Sequence, residues 1–222
     1  MTTASPTPSP TPTVGPDGCR IRRPLPPGSV LSIVGDSFTT GDPKLGGDGP
    51  KGWPAILGRR TGWKVYKDAQ GASGYLSHGF TGKAFDGLIY LDQVKKLPAQ
   101  HPDLVIVFGS DNDLRHTEPP YFVEYVRKTL QAAHRAAPNA YLVVATTFWY
   151  DDHPIPEILY IGRVLKSETS RIPCAMFIDA IAEKWFGMAH RDLYNVDHPS
   201  DAGHVHLADL WERDLRRLHL IG

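Results

Sequence analysis

Short apolar runs alternate with amphipathic stretches from Ser29 onward, and this alternation predicts βαβ units around a parallel sheet. Five runs have the length of strands and are continuous rather than alternating in hydrophobicity, which favours burial on both faces. The predicted strands are Val30 to Val34, Trp63 to Lys67, Leu104 to Phe108, Tyr141 to Ala145 and Ala175 to Ile178. The pattern therefore predicts an α/β fold with a parallel sheet of about five strands.

Two amphipathic segments predict the clearest helices. The first runs from Pro120 to Ala137, with proline at its start and Pro138 just beyond its end. The second begins near Ser200 and runs to about Leu218. Both place apolar side chains on one face at helical spacing, so each is expected to pack against the sheet.

The beginning of the chain has a different composition from the rest. Residues 2–14 are almost entirely Thr, Ser, Pro and Ala, and eight of the 20 prolines lie in residues 1–27. Such a segment cannot bury a core, so residues 1–18 are predicted to form a disordered linker and residues 19–222 a single domain. Linkers of this kind tether exported domains, and we expect an extracellular or cell-envelope protein whose signal peptide has been removed.

Charge and hydropathy exclude several classes of partner. Lys+Arg and Asp+Glu number 24 each, so no net positive field attracts nucleic acid, and no nucleic-acid partner is expected. The longest apolar runs have strand length, so no integral membrane segment is expected. Ligands must be recognised locally, by particular side chains.

The two cysteines, Cys19 and Cys174, permit one disulfide, and two free thiols are the alternative. We favour the disulfide because Cys19 lies in a segment with few other anchors. No metal is expected, since His204-Val205-His206 and Asp151-Asp152-His153 both lack the spacing that puts two imidazoles on one helical face.

Polar, glycine-rich loops follow three of the predicted strands, at the sheet edge where α/β folds place their sites. They begin at Gly35, Gly71 and Gly109, and a fourth polar loop spans Asn195 to Pro199. Their chemistry suits acyl transfer: a serine nucleophile needs a nearby base and fixed oxyanion donors. The candidates are Ser37 as nucleophile, His198 as base, the N–H groups of Ser37 and Gly71 and the Asn112 amide as donors, and Asp36 as a brace.

Four blocks together resemble the GDSL or SGNH hydrolases. Gly35-Asp36-Ser37 is similar to the nucleophile block, Gly71 to the oxyanion glycine, Gly109 to Asp113 to the Gly-x-x-Asn-Asp variant, and His198-Pro199 to the histidine block. Gly52-Trp53-Pro54 and Gly74-Tyr75 most resemble exported actinobacterial members. The resemblance implies a flavodoxin-like three-layer α/β/α sandwich, serine-dependent acyl hydrolysis or transfer, and no metal or cofactor.

One position departs from the family pattern. The family has Asp three residues before its histidine, where this chain has Asn195. Asn195 can orient the imidazole but cannot stabilise its charged form as a carboxylate does. Asn195 is thus one candidate third member, with Asp197 as a supporting carboxylate. The sequence also allows Asp192 or a backbone carbonyl in that role, or a Ser37–His198 dyad without a third member. A second register, which pairs Asp201 with His204, ranks behind these because Pro199 directly after His198 fits the family pattern better.

The sequence leaves more than one function open. The main hypothesis is an esterase that forms an acyl-enzyme on Ser37 and deacylates a carbohydrate or other small-molecule ester, including cell-envelope acceptors. An acyltransferase would use the same nucleophile. The substitution at Asn195 motivates a third hypothesis, a carbohydrate-binding module on a catalytically disabled scaffold.

Overall fold

The computed structural model describes residues 19, 22–118, 120–195 and 197–222, so the predicted linker over residues 1–18 lies outside the described residues. The strands are β1 (Val30–Gly35), β2 (Lys64–Lys67), β3 (Leu104–Gly109), β4 (Tyr141–Thr146), β5 (Met176–Ile178), β6 (Tyr194–Asn195) and β7 (His198–Pro199). The α-helices are α1 (Ser37–Thr40), α2 (Trp53–Thr61), α3 (Tyr90–Gln93), α4 (Leu97–Gln100), α5 (Tyr121–Ala136), α6 (Pro156–Thr169) and α7 (Asp201–Arg217).

The first five strands form one parallel sheet in the order β2-β1-β3-β4-β5. From β1 the chain goes first to β2 at one edge of the sheet. It then crosses back to β3, on the other side of β1, and continues through β4 to β5, so the strand order reverses direction at β1. Such a switch point opens a crevice at the carboxyl ends of the strands. The short strands β6 and β7 form a separate antiparallel hairpin.

Helices cover both faces of the sheet and complete the predicted three-layer α/β/α sandwich. Alternate residues of the central strands enter two separate cores: Ile33 and Ile106 pack with α2 and α7, whereas Val34 and Val107 pack with α3, α5 and α6. Full burial of one such side chain contributes about 1.5–3 kcal/mol. We call these the α2/α7 core and the α5/α6 core.

The predicted strands and helices agree with the structure to within about two residues at their ends, as expected for boundaries. Burial on both faces is confirmed for β3 and β4, whose residues are all buried. The same expectation is wrong for β2, where Lys64 and Lys67 are exposed and Val65 and Tyr66 are half-buried. The reason is position: β2 is an edge strand, and its lysines face solvent.

The start of the described chain is tied to distant parts of the fold. The predicted Cys19–Cys174 disulfide is present, with the two Cα atoms 5.4 Å apart. Leu25 also donates its N–H to the carbonyl of Leu220, 2.9 Å away. Within the described ranges, no helix combines the length and apolar character needed to span a bilayer.

Candidate active site

Ser37 lies at the carboxyl end of β1, where the strand passes into α1. Asp36 caps this four-residue helix by accepting the Phe38 N–H at 3.0 Å. Gly35 is required by close packing, since a Cβ there would lie 2.6 Å from Thr39 Oγ1 and 2.9 Å from the Phe108 carbonyl. The turn therefore holds the Ser37 hydroxyl at the sheet edge, half-buried, with glycine and a buried carboxylate before it.

Asp36 joins the loops after β1 and β3. Its fully buried carboxylate accepts the Tyr90 hydroxyl at 2.8 Å and the Ser110 N–H at 3.1 Å. Gly109, at φ +126°, leaves room for this contact, because a Cβ would lie 1.9 Å from Asp36 Oδ2. These contacts support the bracing role expected for Asp36.

Asp111 brings a second carboxyl group against Asp36, and the two groups influence each other's ionisation. Burial raises the pKa of Asp36, with hydrogen bonds from Tyr90 and two backbone N–H groups opposing the shift. Burial first, and then the charge of Asp36, raise the pKa of Asp111 well above its ordinary value. The second negative charge is thereby kept out of the loops around Ser37.

Gly71 lies directly beside Ser37. A Cβ built on Gly71 would lie 4.0 Å from the Cβ of Ser37. Among the described residues, neither the Ser37 N–H nor the Gly71 N–H has a protein acceptor. Two unpaired N–H groups beside a serine hydroxyl match the requirement for oxyanion donors.

Asn112 lies in the loop after β3 and is attached to the Gly71 loop. Its amide donates to the Ser73 carbonyl at 3.0 Å and, less closely, to Asp111 Oδ1 at 3.3 Å. The structure thus brings the Asn112 amide to the same loop as Gly71. The longer of its two hydrogen bonds is the one that a bound oxyanion could replace.

Asp113 fixes the shape of the Gly71 loop. Its buried carboxylate accepts the backbone N–H groups of Tyr75, Leu76 and Ser77 at 2.7, 3.0 and 2.9 Å. Gly74 permits this approach, since its Cβ would lie 2.4 Å from Asp113 Oδ2. A carboxylate that accepts three backbone donors locks the loop that carries the candidate oxyanion glycine.

His198 reaches this edge on the β6–β7 hairpin. Its ring packs against Phe38, with centroids 5.4 Å apart, and its Nδ1 lies 2.6 Å from Asp197 Oδ1. This contact turns Nε2 away from the carboxylate. Within the described chain Ser37 Oγ is not hydrogen-bonded to His198, although Phe38 places the imidazole beside α1.

The contact that orients His198 comes from Asp197, not from Asn195. Asn195 is exposed and donates its side-chain amide to the Leu45 carbonyl. Neither Asn195 nor Asp192 forms a hydrogen bond with the imidazole in the part of the chain that the structure describes. Asn195 and His198 are register partners in the hairpin, but the Asn195 amide is engaged by the Leu45 carbonyl, and the adjacent Asp197 carboxylate takes the orienting position.

The second register, Asp201 with His204, serves packing. Asp201 accepts the Gly47 N–H at 3.0 Å and pairs with Lys51 at 2.6 Å. His204 is buried, its Nδ1 accepts the Trp53 N–H at 3.4 Å, and burial lowers its pKa to about 4. The imidazole therefore stays neutral inside the α2/α7 core and helps to fix α2.

Sequence reasoning missed one structural brace of the site, Gln93. This fully buried side chain accepts the Gly35 N–H at 3.0 Å and donates to the Gly35 carbonyl at 3.1 Å and Ser73 Oγ at 2.9 Å. The one signal in the sequence is a polar residue on the apolar face that Tyr90, Val94 and Leu97 form. Its partners belong to loops distant in sequence, so the pattern could not identify them.

No group of three or more metal-ligating side chains occurs in the described ranges. The chemistry of the loops is instead that of a hydroxyl, an imidazole–carboxylate pair and backbone N–H donors. This set of groups is suited to nucleophilic acyl transfer.

Known proteins with similar sequence and structure share this arrangement of elements. The family model described as GDSL-like Lipase/Acylhydrolase matches residues 33–206. The GDSL lipase Rv0518 of Mycobacterium tuberculosis is 38% identical over 213 aligned positions, which cover 88% of this chain and 87% of the relative. This relative agrees with the expected actinobacterial affinity.

Three solved structures illustrate the shared fold, and at their low sequence identities the likeness concerns the fold alone. A family two carbohydrate esterase from Clostridium thermocellum has a TM-score of 0.68 at 14% identity, covering 91% of this chain and 68% of that one. TesA has a TM-score of 0.64 at 19% identity, covering 86% and 99%. Est24, a carbohydrate acetylesterase from Sinorhizobium meliloti, has a TM-score of 0.59 at 15% identity, covering 86% and 99%.

The family match extends from the middle of β1 to α7 and so includes all the loops of the site. Together with the relative of 38% identity, it favours an enzyme over a binding module. The chain belongs to the GDSL-like lipase/acylhydrolase family and is an esterase of the SGNH type.

Proposed function

We propose that the protein hydrolyses carboxylic esters through an acyl-enzyme on Ser37, with His198 as general base and acid. The observation that carries this proposal is the juxtaposition at the end of β1: Gly71 lies against the Ser37 side chain, and the N–H groups of both residues have no acceptor among the described residues. His198, held by Asp197, packs against Phe38, the residue that follows Ser37.

In the first step, Ser37 Oγ attacks the ester carbonyl carbon while His198 Nε2 takes the hydroxyl proton. The carbonyl π electrons move to oxygen, giving an oxyanion. The oxyanion then collapses, the bond to the alcohol oxygen breaks, and His198 returns the proton to that oxygen. Asp197 stabilises the transient imidazolium, although its 71% exposure makes this help weaker than that of a buried carboxylate.

In the second step, His198 takes a proton from water, and the hydroxide oxygen attacks the acyl carbon. The oxyanion forms again and collapses with release of Ser37 Oγ, which recovers its proton from His198. The acid leaves, and the enzyme returns to its starting state. The N–H groups of Ser37 and Gly71 and the Asn112 amide would hold the oxyanion in both steps, each good donor contributing about 2.7–4 kcal/mol.

The alcohol part of the substrate is proposed to be a carbohydrate or another cell-envelope hydroxyl compound. Support comes from the structural relatives described as carbohydrate esterases. Export is proposed on separate grounds, since the Cys19–Cys174 disulfide is stable in oxidising compartments and residues 2–14 resemble the linkers of exported domains.

The test compares the purified protein with Ser37→Ala and His198→Ala in p-nitrophenyl acetate hydrolysis. Both variants are expected to lose at least about a thousandfold in kcat, since each removes a member of one catalytic unit. Ser167→Ala, at an exposed serine of α6, is the matched control and should keep full activity. Mass analysis after a serine-reactive phosphonate should find one adduct, on Ser37. Full turnover by a folded Ser37→Ala variant would rule the proposal out.

A further inference from the structure

Two phenylalanine side chains are exposed next to each other on the loop that follows Gly71. Phe80 is 46% and Phe85 70% exposed, and their ring centroids are 5.1 Å apart. Single exposed apolar residues need no explanation, but paired aromatic rings at a site edge do. We call these two side chains the phenyl pair.

The loop that carries the phenyl pair is held by its own hydrogen bonds. The Thr81 N–H donates to the Ala84 carbonyl at 2.9 Å, and the Thr81 hydroxyl donates to Asp86 Oδ1 at 2.9 Å. Gly87 donates to the Gly79 carbonyl at 2.8 Å and so closes the base of the loop. The rings are thus presented to solvent by an ordered turn.

The phenyl pair is attached directly to the candidate oxyanion glycine. The Phe80 N–H donates to the Gly71 carbonyl at 2.9 Å, and the Gln70 amide donates to the Phe80 carbonyl at 3.3 Å. Gly71 in turn lies against the Ser37 side chain. One backbone hydrogen bond therefore separates the exposed rings from the loop that would hold the ester carbonyl oxygen.

The phenyl pair and His198 lie on opposite sides of Ser37 along the sheet edge. Gly71 follows β2, the strand on one side of β1. His198 packs on Phe38, whose ring packs at 4.5 Å on Phe148, just beyond β4 on the other side of β1. An ester bound at Ser37 would therefore extend one of its two arms towards each of these surfaces.

Catalytic chemistry decides which arm faces which surface. The base must return its proton to the leaving alcohol oxygen, so the alcohol lies on the His198 side. The carbonyl oxygen points to the Gly71 N–H, so the acyl chain, the remaining substituent of the ester carbon, leaves on the side away from His198, where the loop that follows Gly71 exposes the two rings. Resting on the function proposed above, we propose that Phe80 and Phe85 bind the acyl chain of the substrate, so that the enzyme prefers esters of aliphatic acids longer than acetic acid.

The test measures kcat/KM for p-nitrophenyl acetate, butyrate and octanoate, which vary the acyl chain on one leaving group. The wild type is expected to favour the longer chains. The double variant Phe80→Ser/Phe85→Ser should lose about tenfold on octanoate and less than about twofold on acetate. Tyr121→Ser, at a 64% exposed ring on α5, is the matched control and should leave the octanoate-to-acetate ratio unchanged.

A second series, ethyl acetate against octyl acetate, varies the alcohol instead. The double variant should treat both as the wild type does. The inference is overturned if the double variant keeps the wild-type octanoate-to-acetate ratio, or if its loss follows the alcohol chain. A wild type that hydrolyses no ester and gives no Ser37 adduct overturns the proposed function as well, so the two failures can be distinguished.

Discussion

The replacement of His204 by Asn tests two assignments: that the buried His204 imidazole is neutral, and that His198 rather than His204 is the catalytic base. His204 is buried against Trp53 and Gly47, and burial lowers its pKa to about 4. In the unfolded chain the pKa of histidine is about 6.5. The unfolded state therefore binds more protons below about pH 6.5, and the folded state is destabilised as the pH falls from there to about 4.

The size of the effect follows from these two pKa values. Relative to pH 8, protonation of the unfolded imidazole costs the folded state about 2 kcal/mol at pH 5 and about 3 kcal/mol at pH 4. Asn does not titrate, and its side-chain oxygen can still accept the Trp53 N–H. The stability difference between wild type and His204→Asn should thus shrink by about 2 kcal/mol between pH 8 and pH 5.

Urea unfolding followed by tryptophan fluorescence measures this difference at each pH. The contributions of all other titrating groups to the free energy of unfolding cancel when the two proteins are compared. Parallel pH profiles would refute the assignment of a neutral, buried His204. The same variant should retain esterase activity, because the proposed base is His198. Loss of turnover in folded His204→Asn would instead favour the Asp201–His204 register.

Four further predictions concern the site and its supports. Asp197→Asn should lower kcat about ten- to a hundredfold, since the carboxylate that orients His198 is exposed, whereas Asn195→Asp should change kcat less than about threefold. Reduction of Cys19–Cys174, which are 155 residues apart, should destabilise the fold by about 2–5 kcal/mol in urea titrations. Gln93→Ala should cost about 2–4 kcal/mol and also lower kcat, because it leaves a buried backbone N–H unpaired at the end of β1.

The last three of these predictions each have an outcome that contradicts them. A strong gain of activity in Asn195→Asp would show that the family position still contacts the imidazole. Identical unfolding curves with and without reductant would show that the disulfide constrains little. A Gln93→Ala variant with wild-type kcat would separate the buried amide from the placement of Ser37, whatever its effect on stability.

The parts of the fold that depend on local pattern could be predicted, and those that depend on tertiary contacts could not. The buried runs of β3 and β4 identify themselves because both faces are covered. Edge position cannot be seen in a single strand, which explains the wrong expectation for β2. At the site, Ser37 and Gly71 follow from strand ends, but the partner of His198 depends on how the β6–β7 hairpin turns.

The location of Ser37 between the two cores explains why its support comes from so many elements. A helix of four residues is not stable by itself, so α1 depends on outside contacts. From the α2/α7 core, Trp53 Nε1 donates to the Phe38 carbonyl at 3.0 Å. From the α5/α6 side, Tyr90 reaches Asp36, the residue that caps the same helix. Because the His198 side and the Gly71 side of the candidate site belong to different cores, substitutions that shift either helical layer should misalign Ser37 before they unfold the sheet.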